Sequence, residues 1–154
     1  MSAHGAIIEW KRGDQPFIDK RYSRAHIWTF DGGAVVRGSS APASVPLPMS
    51  DATAVDPEEA MIASLSSCHM LWFLAFAANA RLTLDSYRDE ASGELDKDEA
   101  GKRYLARVTL RPVTTFTGRQ PDQAELDALH HQAHEHCEMA HSVRARITVQ
   151  ATLG

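Results

Sequence analysis

The segment from Ala60 to Ala78, AMIASLSSCHMLWFLAFAA, contains no Asp, Glu, Lys or Arg, and this feature limits the possible folds more than any other. Wound as a helix it is apolar on nearly every face, which suits either a membrane span or a helix covered on all sides by protein. Ser64, Ser66, Ser67 and His69 interrupt its first half, and Asn79-Ala80-Arg81 closes it without flanking basic anchors. Burial in protein is therefore the expected state, and no membrane partner is expected. Asp56-Pro57-Glu58-Glu59 marks the start, with Asp at the N-cap, Pro in the first helical position, and Glu59 placed to close a capping box. The helix is predicted to run to about Ala80.

What surrounds this helix reads as strands and one further helix. Residues 6–11, 25–30 and 34–38 have strand character, and Asp31-Gly32-Gly33 turns the last two into a hairpin. Residues 39–55, rich in Pro, Ser and Ala, read as a loop. After the helix, residues 81–95 and 102–115 form a predicted hairpin, because Tyr104, Ala106, Val108 and Leu110 alternate with Arg103, Arg107, Thr109 and Arg111. Pro121 opens a second helix with the stripe Leu126, Leu129, Ala133 and Cys137, and residues 143–153 supply a last strand. The order β-β-β-α-β-β-α-β is an α+β fold. At 154 residues there is room for one domain spanning 1–154. A few strands and one helix can hardly cover an all-apolar helix, so the pattern predicts a homodimer.

The formal net charge is -4, with acids and bases interspersed, which gives no electrostatic footprint for nucleic acid. The N-terminal residues have neither the basic nor the apolar region of a secretory signal, so the expected location is cytoplasmic. In that reducing compartment, a pair formed by the two cysteines, Cys68 and Cys137, fits a transient, catalytic disulfide better than a permanent one. The alternative is two buried thiols acting as small hydrophobes. Cys68 falls near the middle of the apolar helix, far from the N-terminal turn, and a buried free thiol is a poor nucleophile at neutral pH. A cation from elsewhere in the chain would have to activate it, and an arginine is the natural supplier. Cys137 falls near the C-terminal end of its helix, where the dipole disfavours a thiolate, which points to Cys68 as attacker and Cys137 as resolver.

Several motifs together carry a family resemblance. They are Asp56-Pro57-Glu58-Glu59, Ser66-Ser67-Cys68-His69-Met70, Val108-Thr109-Leu110-Arg111-Pro112, and Ala133-His134-Glu135-His136-Cys137 followed by Ser142. On these the chain resembles the OsmC/Ohr family of osmotically inducible and organic hydroperoxide resistance proteins, in its OsmC-like subgroup. The resemblance implies strands wrapped around a long buried central helix in an intertwined homodimer. It also implies a thiol-dependent peroxidase acting on organic hydroperoxides, with hydrogen peroxide as a second substrate. By the same resemblance Cys68 is the peroxidatic cysteine, Cys137 the resolving cysteine, Glu58 the glutamate of a Pro-Glu motif, and Arg24 the activating arginine, with Arg21 the alternative. Ten residues of straight helix rise about 15 Å, so Glu58 would act on Cys68 through Arg24. No metal or organic cofactor is implied; the reductant would be a small dithiol or a lipoylated protein. The family usually carries Cys-Pro at the second cysteine, whereas this chain has Cys137-Glu138.

Two other readings compete. His130, His134, Cys137 and His141 share one helical face, with His131 and His136 beside them and Cys68 and His69 on the central helix, so a zinc site is conceivable by ligand type, although no usual zinc spacing is present. His69 itself is read as a satisfied core histidine. The third reading is a binding protein that holds a hydrophobic small molecule without turnover, with Trp72, Phe73 and Phe76 lining either core or pocket.

Overall fold

The computed structural model describes residues 3–154, which fold as two compact units meeting in sequence at Ala60 and Met61. In the N-terminal unit, β1 (Ala6–Glu9), β2 (His26–Phe30) and β3 (Val35–Gly38) form one antiparallel sheet in that order. Gly33 turns β2 into β3 with φ 86, a left-handed value that glycine adopts without steric cost. The predicted loop is anchored to this sheet: Ser39 N donates to Val55 O at 3.0 Å, and Arg24 N donates to Met49 O at 2.8 Å.

The long helix α1 (Pro57–Asn79) begins as the sequence indicates. Asp56 N donates to Glu59 Oε2 at 3.1 Å, and Glu59 N donates to Asp56 Oδ1 at 2.8 Å, completing the reciprocal capping box. Its end is a Schellman motif. Leu82 N donates to Ala77 O and Arg81 N to Ala78 O, both at 3.0 Å, and Arg81 takes φ 58. An arginine there bears the left-handed strain that glycine avoids. Arg81→Gly is therefore expected to stabilise the protein by about 0.5–1 kcal/mol, read as a raised midpoint in urea unfolding with an unchanged slope.

In the C-terminal unit the predicted hairpin is split between two sheets. β4 (Thr83–Asp89) pairs antiparallel with β7 (Pro112–Thr117), and β5 (Ser92–Lys97) pairs antiparallel with β6 (Arg103–Leu110). The strands therefore break near residues 90 and 111 and do not continue through them as the alternation suggested. The break has a cause in side chains. Asp89 Oδ1 accepts from Arg111 N at 2.6 Å, Pro112 opposite Asp89 has no N–H to offer, and Asp89 Oδ2 accepts from Ser66 Oγ of α1 at 2.5 Å. The last predicted strand divides in the same way: β8 (Arg146–Val149) runs parallel to β6, and β9 (Thr152–Leu153) runs parallel to β7.

Against these sheets α1 buries one stripe, Leu65, His69, Phe73 and Ala77, spaced four apart as helix geometry requires. Phe73 and Ala77 join Leu82, Phe116, Leu126, Leu129 and Ala133 in one apolar cluster. Leu65 joins Val108 and Leu110 in another. Full burial of a side chain such as Phe73 contributes about 1.5–3 kcal/mol. The second helix, α2 (Gln123–His136), is capped by Asp122, whose carboxylate accepts from Glu125 N, and it buries the expected Leu126, Leu129 and Ala133. The sequence-level expectation that α1 is covered on every side does not hold within one chain: Leu71 is 60% exposed and Met61 41%. By length and composition α1 could also cross a membrane, yet it serves here as the core helix of an α+β unit.

Candidate active site

Cys68 lies one position before the buried stripe of α1 and is half-buried, whereas Cys137 is only 1% exposed. Both thiols are free, and Cys137 is among the neighbours that raise the Cys68 thiol. Cys137 occupies the junction of two helices. It ends α2, its N–H donating to His134 O, and it opens the short helix α3 (Glu138–His141), its sulfur accepting from Ala140 N at 3.4 Å. Cys137 therefore stands at the C-terminal end of α2, as expected, and the Ala140 N–H of the following turn also donates to its sulfur. Accessibility is what distinguishes the thiols, and it favours Cys68 as the one that meets an external molecule.

Glu138, to which the sequence reading gave no role, and Trp72, read there as lining core or pocket, complete this cluster. Glu138 Oε2 accepts from Cys68 Sγ at 3.5 Å and from Trp72 Nε1 at 3.0 Å. Cys68 and Trp72 can share one acceptor because residues four apart on a helix lie on the same face. Burial pushes the Cys68 thiol up to about 11, the neighbouring Cys137 and Glu138 push the same way, and a backbone hydrogen bond from Met139 opposes them. Glu138 itself is held below the usual carboxylate range, chiefly by the Trp72 hydrogen bond. In this arrangement Cys68 is a protonated thiol at neutral pH. The only sequence signal for Glu138 was its position next to Cys137.

Arg24 and Glu58 come together elsewhere, in the N-terminal unit. Both line a cavity of about 550 Å³ whose walls include Ile8, Trp10, Phe17 and Tyr22. Trp10, Phe17 and Tyr22 pack ring on ring, with centroids 4.7–5.9 Å apart. The Arg24 guanidinium lies 3.9 Å over the Tyr22 ring and donates to Lys20 O at 2.7 Å and to Tyr22 O. Arg21 does not line this cavity. The four residues singled out by resemblance thus fall into two pairs, one pair in each unit.

The histidines do not converge on a common centre. His69 is buried and its Nε2 lies 2.9 Å from His130 Nδ1, with the two ring planes parallel to within 1° and the ring centroids 5.2 Å apart. His130 also stacks on Phe73 at 4.1 Å, and its Nε2 has no hydrogen-bond partner. Burial drives both imidazoles towards neutrality, His69 to about 4 and His130 to about 3. His136 packs against Trp72 and Phe76, and His141 Nε2 meets Glu135 O at 2.8 Å. Among the described residues no three His, Cys, Asp or Glu side chains are grouped to hold a metal ion.

The OsmC-like protein family model matches residues 50–152. An OsmC-like protein of unknown function from Vibrio cholerae is 46% identical, with 99% of this chain and 100% of that one covered at a TM-score of 0.96. The organic hydroperoxide resistance protein of Bacillus subtilis is 21% identical over 99% of this chain and 98% of that one, with a TM-score of 0.66. One from Elizabethkingia anophelis is 17% identical over 100% and 96%, with a TM-score of 0.73. No curated protein matches. The last two share the fold, while the identity to the Vibrio protein and the family match over two-thirds of the chain extend the likeness to sequence: the chain belongs to the OsmC-like family.

Proposed function

We propose that the protein is a cytoplasmic thiol peroxidase that reduces organic hydroperoxides to alcohols, working as a homodimer with an external dithiol as reductant. The observation that carries this reading is the pairing of a half-exposed thiol, Cys68, with a buried thiol, Cys137, at the junction of α2 and α3. In the proposed cycle the Cys68 thiolate attacks the peroxide oxygen, the O–O bond breaks, and the departing alkoxide takes a proton to leave as alcohol. Cys68 is then a sulfenic acid, and the Cys137 thiol displaces its hydroxyl as water to form a disulfide. A dithiol, for which a lipoyl group is the proposed class, returns both cysteines to thiols by exchange and becomes a disulfide itself. The cycle needs no metal or organic cofactor.

The aromatic cavity beside Arg24 and Glu58 supports an apolar substrate with one polar end, since about 550 Å³ falls in the range of small-molecule sites. In this reading Glu58 orients the Arg24 guanidinium at the polar end of that cavity, and the family resemblance is what assigns Arg24 as the activating cation. The exposure of Leu71 and Met61 on the uncharged stretch of α1 supports a second copy of the chain as their cover, because burying large apolar side chains against a partner removes them from water. The testing experiment measures consumption of cumene hydroperoxide and of hydrogen peroxide with dihydrolipoamide or dithiothreitol, alongside sedimentation of the same preparation. Turnover with a preference for cumene hydroperoxide, by a species of two chains, is the expected result. A protein inert towards both peroxides with both dithiols, its thiols still titratable, would leave the reading without support. The apolar cavity would then favour a ligand-binding protein.

A further inference from the structure

Taking Cys68 as the reacting thiol of the function proposed above, we propose that Glu138 is the positioning residue that keeps the Cys68 proton in place until substrate arrives. Its carboxylate receives the thiol hydrogen at 3.5 Å while the Trp72 indole N–H holds the same oxygen at 3.0 Å. The anchor is what turns a surface acid into a fixed neighbour. A glutamate at an exposed helix start would otherwise spread over many rotamers, but here Oε2 is bound by two groups from one face of α1. A carboxylate fixed beside a sulfur stabilises S–H and repels S⁻. The titratable groups facing Cys68 are Cys137 and Glu138, and His136 is a titratable neighbour of Glu138.

This arrangement has a chemical consequence for an exposed reactive cysteine. Thiolates are the form that oxidants and electrophiles attack, so a carboxylate that suppresses the thiolate protects the enzyme at rest. Activation then requires the Cys68–Glu138 contact to be broken or outweighed by a cation. The contact also fixes the direction in which the S–H points, toward α3 and the side of Cys137.

The test is made in a Cys137→Ser background, so that one thiol titrates, by following thiolate absorbance against pH and the rate of iodoacetamide alkylation at pH 7. Glu138→Gln removes the charge with little change of shape. It is expected to move the thiolate midpoint to lower pH, raising the thiolate population at pH 7 about fivefold. Alkylation rises less, about twofold to threefold, because nucleophilicity falls with pKa. Trp72→Phe, which releases the carboxylate from its anchor, is expected to shift the midpoint the same way by a smaller amount. A midpoint unchanged or raised in Glu138→Gln overturns the proposal. Neither measurement uses a peroxide, so a protein without peroxidase turnover can still show the shift, and an active peroxidase can still fail to show it.

Discussion

Cys68→Ser is expected to abolish hydroperoxide reduction, lowering kcat/KM by on the order of a thousandfold or more, while the fold is retained. The substitution replaces sulfur by oxygen in a half-buried position that packs beside α3, so little volume changes. What changes is the chemistry. A hydroxyl is a far weaker nucleophile than a thiolate at any pH the protein survives, and it has no sulfenic acid to offer Cys137. Cys137→Ser is expected to behave differently: one equivalent of peroxide is still consumed, but turnover then requires an external thiol to attack the Cys68 sulfenic acid directly. Rapid mixing with one equivalent of peroxide, followed by mass spectrometry, separates the two variants. Retention of turnover in Cys68→Ser would remove the proposed nucleophile and leave the two-cysteine cycle without a first step.

The second large effect is on stability and comes from the buried pair His69 and His130. Both remain neutral in the folded chain down to about pH 4 and pH 3, against 6.5 for an ordinary histidine, because burial penalises their charged forms. The unfolded chain therefore binds protons below pH 6.5 that the folded chain refuses. Stability contributed by the neutral pair is fully present above pH 6.5 and is lost as the pH falls from there towards 4. With two such groups the slope approaches, at most, on the order of 3 kcal/mol per pH unit. A drop from pH 6.5 to 5 could then consume a large part of a typical domain's stability. Urea unfolding at pH 7.5, 6.0 and 5.0 is the measurement. Carboxylates with lowered values, such as Asp51 and Glu125, lose their contribution at lower pH and do not confuse this window. The double substitution His69→Leu with His130→Leu is expected to flatten the curve. Parallel curves for wild type and double variant would show that the pair is not the source.

The sequence carries much of this fold because its strongest signals are local. The capping box at Asp56 and Glu59 satisfies backbone N–H groups within one turn, and the alternation that buries Ala106, Val108 and Leu110 is a property of any strand with one wet face. The family motifs pointed to the OsmC-like family from residues such as Pro57, Glu58 and Cys68 for a related reason: each motif is short and contiguous. The break of the long hairpin into two sheets was not legible. It depends on Asp89 meeting Arg111 and Ser66, residues far apart along the chain.

By itself, then, the amino-acid order determined the α+β class, the long central helix, its caps, and the two thiols most worth examining. Tertiary structure decided which side of that helix is covered, that His69 finds its partner in His130, that Cys137 sits between two helices, and that Glu138 stands on the Cys68 proton. The division follows from range. Capping and periodicity are settled by hydrogen bonds and side-chain spacing within a few residues, whereas a proton's affinity for a sulfur or an imidazole is set by burial and by charges that only folding brings near.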